Sequence, residues 1–120
     1  MMDLKRVLIA DDDPDVLKFL NVLISMENDF EVIGQARNGV EAIEQARSLN
    51  PDVILMDSQM PFCSGLEATR KIKSEFPDTR VIILTIHANE LSEALTAGAS
   101  KYLLKDSPPD VLYSAIRATM

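Results

Sequence analysis

Five side chains suited to chemistry each stand at the end of an apolar run. Val7-Leu8-Ile9-Ala10 stops at Asp11-Asp12, and Val53-Ile54-Leu55-Met56 stops at Asp57. Val81-Ile82-Ile83-Leu84 ends in the hydroxyl of Thr85, and Tyr102-Leu103-Leu104 ends in Lys105. Taken singly, Asp11-Asp12 reads equally well as helix capping, and Asp57 reads more readily as a solvated strand end. The joint pattern is different, because it would bring three carboxylates, a hydroxyl and an ammonium to one edge. Carboxylates about 5 Å apart repel by roughly 3 kcal/mol per pair at an effective dielectric near 20. Such a cluster therefore calls for a cation. Oxygen-only ligation suits Mg²⁺, with Mn²⁺ as the alternative, and Mg²⁺ uses one or two carboxylates while keeping waters. Cys63 and His87 are too few to hold zinc.

A divalent cation beside a carboxylate, a Lys and a Thr is also a set of parts for phosphoryl transfer, in which charge must be neutralised and the reactants held in line. A carboxylate can itself be the nucleophile and become an acyl phosphate. With the cation and Lys105 present, the three aspartates are close to neutral. Converting one to an acyl phosphate of roughly −2 moves the local charge by about one unit. That change is enough to reposition a hydroxyl such as Thr85.

The elements that must position these groups alternate regularly. Strand-like runs lie at about 6–10, 30–36, 53–57, 81–85 and 101–104, with helical patterns between them. Asp13 and Pro14 supply an N-cap and a first helical residue, and Val16, Leu20, Leu23 and Ile24 then share a face. Val40, Ile43, Ala46 and Leu49 mark the second helix, stopped at Asn50-Pro51. Leu66, Thr69, Ile72 and Phe76 mark the third, stopped by Pro77. Leu91, Ala94 and Leu95 mark a short fourth helix ending at Gly98, a left-handed cap. Val111, Leu112, Ala115 and Ile116 mark the fifth, begun at Pro108-Pro109. Five βα units with apolar strands predict an α/β fold: one parallel sheet covered by helices on both faces. Ligands of such sheets sit beyond the carboxyl ends of the strands, at the switch in strand order.

At 120 residues, 47% hydrophobic and 26% charged, the chain is expected to form a single globular domain over residues 1–120. The net charge of −7 argues against direct binding of nucleic acid, which needs a basic face. One cysteine, no signal-peptide pattern and no apolar stretch of membrane-spanning length predict a cytoplasmic protein without membrane attachment.

The motifs VLIADDD, VILMDSQMP, the helix start Gly65-Leu66-Glu67-Ala68-Thr69-Arg70, VIILT and AGASKYLLKD occur in this order. With them the chain resembles, over essentially its whole length, the receiver domain of bacterial two-component response regulators. The wording HANE, AGAS and YLLKD is most similar to the subfamily with a C-terminal helix-turn-helix output domain. The resemblance implies a doubly wound, flavodoxin-like sheet of order 2-1-3-4-5, and it implies that Asp57 is the phosphoacceptor for a histidine kinase or phosphotransfer protein. It implies Mg²⁺ on Asp12, Asp11 and Asp57, with Gln59 offering its backbone carbonyl to the metal and its side chain to incoming water. Thr85 and Lys105 would contact phosphoryl oxygens, and Tyr102 would be the aromatic switch partner of Thr85. His87, expected at the surface, would tune hydrolysis. Self-phosphorylation and slow autodephosphorylation are the only catalysis implied, and homodimerisation on phosphorylation is the associated assembly. The residues end with the fifth helix, as in a stand-alone receiver or a fragment of a longer protein. The subfamily wording leans towards a fragment, and DNA binding would then belong to an output domain outside these residues.

Three departures from the family pattern stand out. The stretch from Thr85 to Lys105 is a residue or two short, with the loss in the fourth helix or its leading loop. Ile86 replaces a small residue, which narrows access to the phosphoryl pocket. Asp106 stands where Pro is common, and without proline a trans Lys105–Asp106 bond is expected. Two rival readings are weighed against the receiver. One is a haloacid-dehalogenase-like phosphatase, using Asp11-x-Asp13 as its DxD motif; the other is a receiver-fold interaction module that works without phosphorylation.

Overall fold

The computed structural model describes residues 4–118. It consists of β1 (Lys5–Ala10), α1 (Pro14–Ser25), β2 (Phe30–Ala36), α2 (Gly39–Leu49) and β3 (Val53–Asp57). These are followed by α3 (Gly65–Glu75), β4 (Arg80–Thr85), α4 (Leu91–Ala97), β5 (Lys101–Leu104) and α5 (Pro109–Ala118). All strand pairs are parallel, and the sheet order is β2-β1-β3-β4-β5. This is the predicted doubly wound, flavodoxin-like arrangement.

Strand alternation divides the core in two. Leu8, Ala10, Ile54, Met56, Val81 and Ile83 pack with the α2, α3 and α4 side. Val7, Ile9, Val53, Leu55, Ile82 and Leu84 pack with α1 and α5. Successive residues of β1, β3 and β4 thus feed opposite faces, which explains why these runs are apolar throughout. The caps also match the sequence signals. Asp13 accepts the Asp15 N–H at 2.9 Å with Pro14 next to it, Asn50 is left-handed at φ 50°, and Gly98 is left-handed at φ 101°. The Lys105–Asp106 bond is trans, as no cis peptide occurs among the described residues.

Some face assignments need correction. Val40 is 44% exposed, and α2 buries Gly39, Ala42 and Ala46 instead. Leu91 and Leu95 are 49% and 54% exposed, because the seven-residue α4 rests on the sheet through Ala94 and Ala97. Val111 likewise faces out while Leu112, Ala115 and Ile116 are buried. β5 is an edge strand with its ends exposed rather than a buried strand. Its apolar run is short because only one neighbour, β4, covers it.

Candidate functional site

Register brings the polar strand ends to one edge. Ala10 pairs with Met56, Asp57 with Leu84, and Thr85 with Leu104. Asp11 is then fixed by its N–H to the Ala36 carbonyl at 3.0 Å, and Lys105 by its N–H to the Thr85 carbonyl at 2.8 Å. The loop after β3 is pinned by the Gly65 N–H on the Ser58 carbonyl at 2.9 Å. A side chain at Gly65 would collide with the Asp57 carbonyl oxygen, so the start of α3 can approach β3 only as glycine. Asp11, Asp12, Asp57, Gln59, Thr85, His87 and Lys105 line a single cleft of about 440 Å³.

Carboxylate oxygens of Asp11, Asp12 and Asp57 lie within 4.8 Å of one another, with Asp11 and Asp57 buried and Asp12 exposed. Lys105 Nζ lies 2.7 Å from Asp11 and 3.3 Å from Asp57. One ammonium against three carboxylates leaves two negative charges uncompensated, and all the donors are oxygens. A hexacoordinate, water-retaining divalent cation fits that set, whereas a thiolate- or imidazole-seeking metal does not. Burial, then the charge of Asp11, push the Asp57 carboxyl from its ordinary 3.8 up to about 6, although Lys105 opposes them. Burial works against the Lys105 charge, but its bond to Asp11 and the attraction of Asp57 hold its pKa above the ordinary value.

Thr85 is fully buried, and its hydroxyl points to a group that sequence reasoning missed. Glu90, also buried, accepts from Thr85 Oγ1 at 2.7 Å, from Ser58 Oγ at 2.9 Å and from Gln59 Nε2 at 3.2 Å. Burial alone would raise the Glu90 carboxyl, but these bonds hold it below the usual range. The backbone N–H of Glu90 donates to the Tyr102 hydroxyl at 3.1 Å, and that hydroxyl donates to the His87 carbonyl. Tyr102 is therefore half-buried and hydrogen-bonded to the loop between β4 and α4, not merely packed on the sheet. His87, expected at the surface, is half-buried, because its N–H is held by Thr85 Oγ1 at 3.0 Å. Ile86 is 74% exposed at the cleft rim.

The missed pair had a weak signal. Ser58 directly follows β3, and the stretch between Thr85 and α4 carries only one acid, Glu90. Glu90 occupies the N-cap position of α4 yet makes no side-chain cap, since its carboxylate is committed to the cleft. The phosphatase reading is weakened at its second acid, because Asp13, although it borders the cleft, is exposed and its carboxylate caps α1.

Comparison with known proteins agrees with this geometry. The family model for the response regulator receiver domain matches residues 7–117. The uncharacterized transcriptional regulatory protein YxjL of Bacillus subtilis is 46% identical over 115 residues, covering 94% of this chain and 53% of that protein. The chain spans about half the length of the curated relatives it matches. A two-component response regulator of the LuxR family from Aurantimonas superposes with a TM-score of 0.91 at 34% identity, covering 97% of this chain and 84% of that one. The CheX–CheY–BeF3–Mg²⁺ complex from Borrelia burgdorferi gives 0.87 at 25% identity, covering 94% and 87%. Receiver domains bind Mg²⁺ at an acidic pocket of the kind formed here by three aspartates. Neither the phosphatase nor the phosphorylation-independent reading is favoured by these relatives. With its fold, its cleft and a family match over nearly its full length, the chain belongs to the response regulator receiver domains.

Proposed function

We propose that Asp57 of this receiver accepts a phosphoryl group from a histidine kinase or phosphotransfer protein, and that the acyl phosphate switches the β4–α4 surface. The observation that carries the reading is the meeting of Asp57 with Asp11, Asp12, Thr85 and Lys105 in one cleft. A carboxylate oxygen of Asp57 forms the new O–P bond as the P–N bond to the donor imidazole breaks. The electron pair returns to the imidazole nitrogen, which takes up a proton. Lys105, already between Asp11 and Asp57, contacts a phosphoryl oxygen, and Thr85 contacts another. Asp11, Asp12, Asp57 and the Gln59 backbone carbonyl would hold Mg²⁺, or Mn²⁺ in its place. That ion supplies neutralisation of the carboxylate and phosphoryl charge. The Borrelia complex, a neighbour of the same fold, is one with Mg²⁺ and BeF3. His87 and the Gln59 side chain, both on the cleft, tune entry of the hydrolytic water.

Residues 1–120 form one receiver domain in this reading, and a transcriptional output domain belongs to the longer protein. The apolar groove of Val16, Phe19, Leu20, Leu103 and Leu104 borders Lys105 and provides the donor protein with a docking face. Homodimerisation on phosphorylation would use α4, where Leu91 and Leu95 are exposed. No described helix is long and apolar enough to cross a membrane, which is consistent with action in the cytoplasm. Intact-mass measurement after incubation with acetyl phosphate and Mg²⁺ tests the core of the proposal. One added phosphoryl group on the wild type, absent in Asp57→Asn, is the expected result; no added mass on the wild type overturns it.

A further inference from the structure

The Thr85 hydroxyl has one proton, and its position is legible. Glu90 Oε1 lies 2.7 Å away, and the Glu90 carboxylate also accepts from Ser58 Oγ and Gln59 Nε2, so it stands as an acceptor towards all three neighbours. The His87 N–H, at 3.0 Å, donates to the hydroxyl. Ser58 Oγ lies 2.9 Å from both Thr85 Oγ1 and Glu90 Oε1, and shares its own proton between them. Among the described residues Glu90 is thus the shorter and the only charged acceptor hydrogen-bonded to Thr85, so the Thr85 proton is committed to it. A phosphoryl oxygen on Asp57 needs the same proton, because a phosphoryl group is acceptor-only.

We propose that Glu90 is a built-in competitor of the phosphoryl group: it holds the Thr85 hydroxyl in the unphosphorylated state and must release it for the switch to complete. This inference rests on the phosphoacceptor reading above and deepens it. Glu90 is a positioning residue, acting on the reaction through Thr85. Its two arms explain how release would be transmitted. The side chain holds Thr85 and, through Ser58 and Gln59, the start of the β3–α3 loop. The backbone N–H holds Tyr102, whose hydroxyl in turn holds the His87 carbonyl. An acyl phosphate next to Ser58 both takes the Thr85 proton and adds negative charge near the Glu90 carboxylate, so both effects expel it. Expulsion frees the first residue before α4 from the cleft and changes the partner of Tyr102. Glu90 lies five residues after Thr85, close enough for the loop to fold back on the cleft.

Beryllofluoride with Mg²⁺, a phosphoryl mimic, measures the competition by titration calorimetry on wild type, Glu90→Ala, Glu90→Gln, Thr85→Ala and the Thr85→Ala/Glu90→Ala double variant. Binding to both Glu90 variants is expected to tighten by about tenfold, as breaking a hydrogen bond to a charged acceptor is no longer required. The Thr85→Ala background should abolish that gain, whereas a general loosening of the loop would leave it intact. In metal-free protein, amide spectra should show the His87 N–H and the Tyr102 ring shifted in both Glu90 variants. Glu90→Gln keeps the side-chain shape, so it remains informative if Glu90→Ala fails to fold. Unchanged or weaker binding in the folded Glu90 variants, or a gain that survives Thr85→Ala, overturns the competition. A wild type that binds no beryllofluoride instead overturns the phosphoacceptor reading itself.

Discussion

Asp57→Asn should make the metal-free protein more stable, although it removes the proposed acceptor. Folding carries the Asp57 carboxyl from its ordinary 3.8 to about 6, chiefly through burial and then through Asp11. At about 1.4 kcal/mol per tenfold, that rise corresponds to roughly 3 kcal/mol held against the fold once Asp57 is ionised. The sign follows from proton uptake. Between about pH 4 and pH 6 the folded state holds a proton that the unfolded state has lost, so stability falls as pH rises through this window. Above the window the full cost is present; below it, Asp57 is protonated in both states and the cost is gone. The amide introduced by Asp57→Asn cannot ionise, and Lys105 keeps its 2.7 Å partner Asp11 in either protein. Urea denaturation in a chelator should therefore show Asp57→Asn more stable than wild type by about 2–3 kcal/mol at pH 8, shrinking towards zero near pH 4. Mg²⁺ should narrow the difference at pH 8, because the ionised wild-type site gains a counter-ion while the variant has lost a ligand. A variant no more stable than wild type at pH 8 in chelator, or a gain that ignores pH, would refute the reasoning.

Lys105→Met removes the ammonium held between Asp11 and Asp57, so Mg²⁺ should bind several-fold more tightly by calorimetry while phosphoryl uptake from acetyl phosphate falls sharply. Asp12→Asn should weaken Mg²⁺ binding by about tenfold or more but leave the urea midpoint nearly unchanged, since Asp12 is the exposed member of the cluster. Gly65→Ala should destabilise the fold by about 1–3 kcal/mol in urea, because its methyl group meets the Asp57 backbone carbonyl rather than a side chain that could move aside.

The fold was legible because each local signal agreed with the others. The apolar strands, the Asp13-Pro14 start, the Asn50 stop and the Gly98 cap each specify one local conformation, and together they admit one alternating βα order. The cleft was legible for a related reason. In a parallel sheet every strand points the same way, so polar residues at the ends of apolar runs must converge. Helix faces were less legible where helices are short. α4 touches the sheet through two alanines, so the larger Leu91 and Leu95 misdirect a reading based on hydrophobicity. Glu90 was only faintly legible, for a third reason. Nothing in its neighbours distinguishes a cap from a residue folded back on Thr85, because that choice depends on loop length and on the hydroxyls of distant strands.

A switch needs two states of nearly equal free energy, and Glu90 bears on how this one is balanced. Moving a two-state equilibrium from about 1:99 to 99:1 takes roughly 5.5 kcal/mol of differential binding. An unpartnered Thr85 hydroxyl at the cleft would lie ready for any anion on Asp57, and the unphosphorylated protein would drift towards the active arrangement. Satisfying that hydroxyl with an ionised carboxylate, in a bond of the class contributing about 1.5–3 kcal/mol, stabilises the resting state by a substantial share of the required range. The bond stays within the reach of a phosphoryl group, which offers Thr85 an acceptor of greater charge while repelling Glu90. In the proposed reading the same three residues, Thr85, Glu90 and Tyr102, joined by hydrogen bonds, resist activation without phosphate and report it once phosphate arrives.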